Sequence, residues 1–376
     1  MKIYRHYHNL EHYLEPGKVL VIYGPRQVGK TTVLKDFLSK TKLRYRLDSG
    51  DNITLQHKLG SEQLESIKEY IEGYDLIAID EAQKVPHIGS ALKMMVDADS
   101  KLQVIATGSS SFALSQDIGE PLTGRKTTLT LFPVAQSELK HHYTPSELKE
   151  NLERWLIFGC YPEVITAPSK EKRLRRIVEL KDSYLLKDIL ELEHIKSSKK
   201  LVDLLRLLAF QIGSEVSLSE LGKQLGIDYK TVARYLDLLE KSFVILNIRG
   251  FSRNLRKEMT KKSKYYFFDT GIRNALIANF NELSLRNDVG ILWENFLFIE
   301  RFKKCTYHQI IANHYFWRTW DQKEIDLIEE REGILFAYEF KWKNEKKSHP
   351  PKDWVSAYPD AHYQMISQDN YLPFIT

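Results

Sequence analysis

The chain has 376 residues, 43% of them hydrophobic and 28% charged, with a net charge of +5. That length exceeds one ordinary hydrophobic core and predicts two or three domains, while the balance of apolar and charged residues excludes a disordered chain. The slight basic excess is compatible with an anionic partner but does not require one.

Cys160 and Cys305 are the two cysteines, and they lie too far apart in sequence to have metal-ligand spacing. A reducing cytoplasm is the expected compartment. The opening MKIYRHYHNLEHYL has no apolar core of a signal peptide. No apolar run approaches the ~18 residues of a bilayer span, so no membrane partner is expected.

Val19 to Tyr23 is a short β-branched run that predicts a buried parallel strand. It leads into Gly24, Pro25, Arg26, Gln27, Val28, Gly29, Lys30 and Thr31, which match G-x-x-x-x-G-K-[ST] in full. Thr32 to Lys40 continues at helical period. A strand, a glycine loop and a helix in this order let backbone N–H groups curl around a phosphate at the positive end of the helix. Gly24 to Thr32 are thus the candidate ATP-binding residues, with Lys30 on the β/γ-phosphates and Thr31 on Mg²⁺.

A second apolar strand, LIAI, ends in Asp80 and Glu81. Asp80 is the candidate for the Mg²⁺ shell and Glu81 for the base that orients the attacking water; a solvated strand end is the alternative. A third strand, Leu102 to Thr107, ends in GSSS, which makes Thr107 and Ser109 candidates for sensing the γ-phosphate, against a plain turn. Arg125, in LTGRK before an apolar stretch, is either a surface arginine or a finger acting in cis or from a neighbouring subunit of a homo-oligomer.

GPRQVGKTT, LIAIDEAQ, IATGSSS, LTGRK with LFPVAQSEL, and GCYPEV together resemble the AAA+ superfamily of P-loop ATPases. Within it they resemble a large prokaryotic family with a C-terminal domain of unknown function. The resemblance implies an α/β ATPase core over 1–144, then a helical lid over 145–195 holding ERWLIFGCYPEV and DSYLLKDIL. It continues through TVARYLDLLEKSFVI and KYYFFDTGIRNAL.

Residues 196–270 read as a winged helix. One helix carries Leu218, Leu221 and Leu225 and stops near Gly226; a second is capped by Asp228 and carries Val232, Leu236 and Leu239. Two strands then flank a basic loop from Arg253 to Lys264. If this element binds DNA, Tyr229, Lys230, Thr231 and Arg234 enter the major groove, and Arg253, Arg256, Lys257, Lys261, Lys262 and Lys264 contact phosphates. A protein-binding module with a solvated basic face is the alternative.

Residues 271–376 predict an α/β domain. GILWENFLFIERF reads as a helix with Glu294 near its start. Asp326 lies on one strand and Glu339-x-Lys341 on the next, where alternation puts Glu339 and Lys341 on one face. An acid followed by Glu-x-Lys is the spacing of a metal-dependent nuclease: Asp326, Glu339 and an added Glu294 would bind Mg²⁺ or Mn²⁺, and Lys341 would orient water. These residues resemble the PD-(D/E)XK nuclease superfamily, although Ile325 stands where that pattern has proline. His308, His314 and His362 read as surface residues, and His362 to Ser367 as an edge strand.

The expected whole is an ATP- and Mg²⁺-using ATPase acting on nucleic acid, with DNA favoured, whose C-terminal site cuts or only binds. The alternative is a nucleotide-controlled switch that binds DNA or a protein without cleavage. A small-molecule kinase would have no need of the downstream domains.

Overall fold

The computed structural model describes residues 2–109, 122–182, 198–252, 263–319, 321–343 and 349–376. They fall into two compact units. One comprises Arg5–Phe132 with Lys241–Phe243; the other comprises Met1–Tyr4, Pro133–Glu240 and Val244–Thr376. The expected division at 144/145, 195/196 and 270/271 is therefore not the division into compact units. The boundary between the units falls after Phe132, and residues 145–182 of the expected lid belong to the downstream unit.

The first unit is built on five strands: β1 Val19–Tyr23, β2 Tyr45–Ser49, β3 Leu76–Asp80, β4 Gln103–Gly108 and β5 Lys126–Thr130. Their order is β2-β3-β4-β1-β5, and every pairing is parallel. β1 and β3 are buried over their apolar residues because helices cover both faces of such a sheet. The core beneath one face joins Val19, Val21, Ile77, Ile79, Val104 and Ala106 to Leu92 and Met95 of the helix Ile88–Ala98. Parallel pairing brings the carboxyl ends of β1, β3 and β4 to one edge: Tyr23 lies opposite Gly108, and Ile79 opposite Ala106. In such sheets that edge is where ligands bind.

The second unit holds a seven-stranded sheet in the order β12-β11-β10-β9-β7-β8-β6. These strands are β6 Glu215–Val216, β7 Ile245–Gly250, β8 Ser263–Phe267, β9 Asn313–Arg318, β10 Glu324–Arg331, β11 Ile334–Phe340 and β12 His362–Ile366. β9, β10 and β11 form an antiparallel meander, and β12 adds in parallel to β11 at the edge. A parallel pairing of Arg249 with Tyr315 and Gly250 with Phe316 joins β7 to β9. The strands around the basic loop and the C-terminal strands thus form one continuous sheet rather than two domains.

The 19-residue helix Val289–Tyr307 packs along this sheet. Phe298 stacks on Tyr266 of β8 with 4.6 Å between ring centroids. Asn295 clips the helix to the strand, accepting from Phe267 N at 2.7 Å and donating to Phe267 O at 2.9 Å. The core of the meander gathers Phe251, Trp317, Ile325, Ile328 and Trp354.

GCYPEV is held inside this unit. Cys160 N donates to Asp269 Oδ2 at 2.7 Å, and Asp269 Oδ1 caps the helix Thr270–Leu276 through Ile272 N at 3.1 Å. Gly159 is required because a Cβ there would stand 2.0 Å from the Asp269 carboxylate. GCYPEV and FFDTG are therefore two halves of one packing contact.

Candidate active site

The loop after β1 is shaped by its glycines. A Cβ on Gly24 would come 2.0 Å from the Leu131 carbonyl oxygen, so only glycine lets the chain turn there. Gly29 has φ +98° and caps the helix Lys30–Leu38, whose Val33, Leu34, Phe37 and Leu38 are buried. Lys30 is itself buried and donates to the carbonyls of Gly24 at 2.9 Å and Pro25 at 2.8 Å, which holds its ammonium inside the loop.

Thr31 Oγ1 donates to Asp80 Oδ2 at 2.8 Å, and Thr107 Oγ1 donates to Asp80 Oδ1. The glycine loop, the acidic strand and the strand lying between them thus converge on one carboxylate. Glu81 follows with φ +50°, in the left-handed region, so the chain turns sharply as it leaves β3. Its carboxylate accepts from Gln83 Nε2 at 2.6 Å. Gln83 Oε1 accepts from Ser109 N at 3.4 Å, so one side chain links Glu81 to the tip of β4.

Two residues with no role assigned from the sequence support this edge. Gln83 is one. The other is the buried Arg5, whose guanidinium donates to the carbonyls of Val28 in the loop and of Phe132 at 2.6 Å. Arg5 lies 19 residues before Gly24, in a segment with no motif; the signal available was only an arginine among aromatic residues.

Arg125 does not belong to the site of its own chain. Its carbonyl accepts from Val19 N at 2.9 Å, and Lys126 pairs with Val19, which places it at the amino edge of the sheet. The loop lies about 16 Å away along β1, further than an arginine side chain reaches. Arg125 instead pairs with Asp97 at 3.1 Å.

In the downstream unit the predicted acids cluster, with additions. β10 is irregular between Ile325 and Ile328, where the register to β9 shifts and Asp326 is re-aimed. Asp326 Oδ2 accepts from Phe340 N at 2.7 Å. Lys341 Nζ lies 2.8 Å from Glu339 Oε1, on the shared face. Glu294 Oε1 is occupied by two groups of β8: Tyr266 Oη at 2.6 Å and Lys264 Nζ at 3.3 Å. Lys264 also pairs with Glu324. Lys264 is 1% exposed, so it is a buried partner of acids and not the expected phosphate contact. Arg253, Arg256, Lys257, Lys261 and Lys262 lie outside the described residues.

Burial, with Glu294 and Glu339 nearby, pushes the Asp326 carboxyl well above the usual carboxylate range. Burial raises Glu339 as well, against the pull of Lys341. For Lys264 burial opposes the charge, but Glu294 and Glu324 outweigh it and raise its pKa.

His314 is not the expected surface residue. Its Nε2 lies 3.7 Å from Glu329 Oε1, with Cys305 Sγ 3.9 Å from the same oxygen. Among the described residues these three form a group with metal-ligand proximity. The group is an ion-pair site: Arg301 donates to both oxygens of Glu329, at 2.6 and 2.9 Å, so a second cation would meet a guanidinium.

Three family models match the chain in series. An AAA domain covers residues 16–140, and two domains of unknown function, DUF8612 and DUF4143, cover 149–283 and 289–372. With the parallel sheet and its loop, the AAA match makes the first unit a P-loop domain of the AAA type. Over most of its length the chain is similar to uncharacterised proteins of distant prokaryotes. One from Methanocaldococcus jannaschii is 24% identical over 393 residues, covering 98% of this chain and 84% of its own. One from Mycobacterium tuberculosis is 27% identical over 332 residues, covering 87% and 71%. Among solved structures, the chain aligns with a Walker-type ATPase of Pyrococcus abyssi at 17% identity and a TM-score of 0.46, covering 69% of this chain and 91% of that one. No described helix is long and apolar enough to cross a membrane.

Proposed function

We propose that this chain binds and hydrolyses ATP with Mg²⁺ and uses the nucleotide to control binding of nucleic acid by its downstream unit. The observation that carries the first half is the hydrogen bond of Thr31 Oγ1 to Asp80 Oδ2 at 2.8 Å. A hydroxyl and a carboxylate so placed beside a phosphate loop are hard oxygen donors that suit Mg²⁺. The ion, when bound, would neutralise charge on the transferred phosphate.

The protein residues supply the rest. Backbone N–H groups within Gly24 to Thr32, where Pro25 alone has none, and the Lys30 ammonium hold the phosphates. Glu81, aligned by Gln83, takes the proton of the attacking water. Thr107 and Ser109 stand at the tip of β4, beside Asp80, where a γ-phosphate would be felt. The reading is tested by phosphate release from ATP with Mg²⁺. It should be abolished in Lys30→Ala; equal rates in the two proteins would overturn it.

The nucleic-acid half rests on the helix pair Leu218–Leu225 and Tyr229–Lys241, joined at Gly226 in the left-handed conformation, with β7 and β8 behind it in the manner of a winged helix. Tyr229 is 57% exposed and Lys230 is exposed at the start of the second helix. DNA is the favoured partner, entered by Tyr229, Lys230, Thr231 and Arg234. Duplex binding that falls steeply with salt and weakens in a Lys230→Glu, Arg234→Glu variant would support it. Binding unaffected by both would point instead to a protein partner.

A further inference from the structure

We propose that the buried ammonium of Lys264, paired with Glu294 and Glu324, takes the place of a divalent cation in the acidic cluster around Asp326, which therefore binds none. A nuclease-type reading of Glu294, Asp326 and Glu339 needs their oxygens to turn toward one ion. Mg²⁺ demands near-octahedral oxygen ligation at about 2.1 Å and tolerates poor geometry badly.

The structure gives these oxygens other work. Glu294 Oε1 accepts from both Tyr266 and Lys264, Asp326 Oδ2 from Phe340 N, and Glu339 Oε1 from Lys341. Although all these residues are described, their donor atoms do not form a group of three within 4.8 Å of one another, as those of Cys305, His314 and Glu329 do.

Lys264 is built into that position. Alternation on β8 sends Lys264 and Tyr266 to one face, and Asn295 and Phe298 fix the helix that delivers Glu294 to it. The Lys264 ammonium lies over the Phe316 ring, 5.2 Å from its centroid. Four acids meet here, Glu294, Glu324, Asp326 and Glu339. Lys264, Lys341 and Arg318, the last 3.7 Å from Glu324, stand against them. A dication would have to enter beside an ammonium in a poorly solvated site, where like charges repel strongly.

The test is Mn²⁺ binding to the full chain without nucleotide, followed by electron paramagnetic resonance. Wild type and Glu339→Gln should bind Mn²⁺ identically. Lys264→Met should gain a site that tightens Mn²⁺ binding by roughly tenfold or more and disappears again in Lys264→Met, Glu339→Gln. Mn²⁺ binding by wild type that Glu339→Gln abolishes would overturn the inference, whether or not Lys264→Met folds. So would Mn²⁺-dependent DNA cleavage lost in Glu339→Gln, or a folded Lys264→Met that gains no site. None of these arms involves ATP, so a failed ATPase assay and a failed metal assay remain distinguishable.

Discussion

Gln83 Nε2 donates to Glu81 Oε2 at 2.6 Å, and the same amide's oxygen accepts from Ser109 N. A general base must present its carboxylate in a narrow range of orientations, and a rotamer held by a second-layer amide loses less on alignment. The link to Ser109 makes the orientation of Glu81 depend on the tip of β4.

Gln83→Ala should therefore lower the rate of phosphate release by about tenfold or more while leaving ATP affinity within roughly twofold of wild type. Gln83→Asn, one methylene shorter, should not restore the rate. The measurement is steady-state hydrolysis beside equilibrium binding of a fluorescent ATP analogue. An unchanged turnover number in Gln83→Ala would remove Gln83 from the mechanism.

Gly24→Ala should abolish nucleotide binding outright. The added Cβ meets the Leu131 carbonyl at 2.0 Å, and φ of +147° disfavours any L side chain. The loop must move, and with it the N–H groups that cradle phosphate. Binding of ATP by a folded Gly24→Ala protein near the wild-type affinity would show that the loop tolerates what its geometry forbids.

Arg125→Ala should leave the hydrolysis rate of dilute protein unchanged within roughly twofold, because Arg125 sits at the amino edge of the sheet and pairs with Asp97. If copies of the chain assemble and Arg125 reaches a neighbour's site, the loss will appear only as concentration rises. A loss independent of concentration would contradict the placement.

Glu329→Gln should destabilise the protein by about 3–5 kcal/mol at neutral pH, since it leaves the Arg301 guanidinium buried without its carboxylate. Burial works against the Glu329 charge, yet Arg301 and His314 prevail and hold its pKa at about 2, below the ordinary glutamate value of 4.5. A folded pKa below the unfolded one adds stability above the unfolded value, and that stability fades as pH falls toward 2. The gap between Glu329→Gln and wild type in urea melts should thus narrow below pH 4.5. A gap independent of pH would mean that Glu329 acts through packing.

The phosphate loop was legible because it is local. Strand, glycines, lysine and helix lie within 20 consecutive residues, and each obeys a steric or electrostatic rule that does not depend on distant partners. That Asp80 and Thr107 stand at strand ends, with Glu81 just beyond, could be read because a hydrophobic strand ending in polar residues is a strong pattern. The three roles open to Arg125 could not be separated in the sequence because a loop position does not say which edge of a sheet it occupies; the pairing of Lys126 with Val19 decides that and removes the role in cis. The division into compact units is not local either. The parallel pairing of β7 with β9 joins strands more than 60 residues apart.

By itself the sequence determined the nucleotide loop, the acids on neighbouring strands and the alternation that puts Glu339 and Lys341 on one face. These follow from spacing along a single element, where backbone geometry leaves little choice. Only the tertiary structure decided that Lys264 lies among Glu294, Glu324 and Asp326, that Arg5 braces Val28, and that Gln83 holds Glu81. Whether a charged side chain meets water, phosphate or a buried acid depends on which surfaces pack together, and that is set by contacts between segments far apart in the chain.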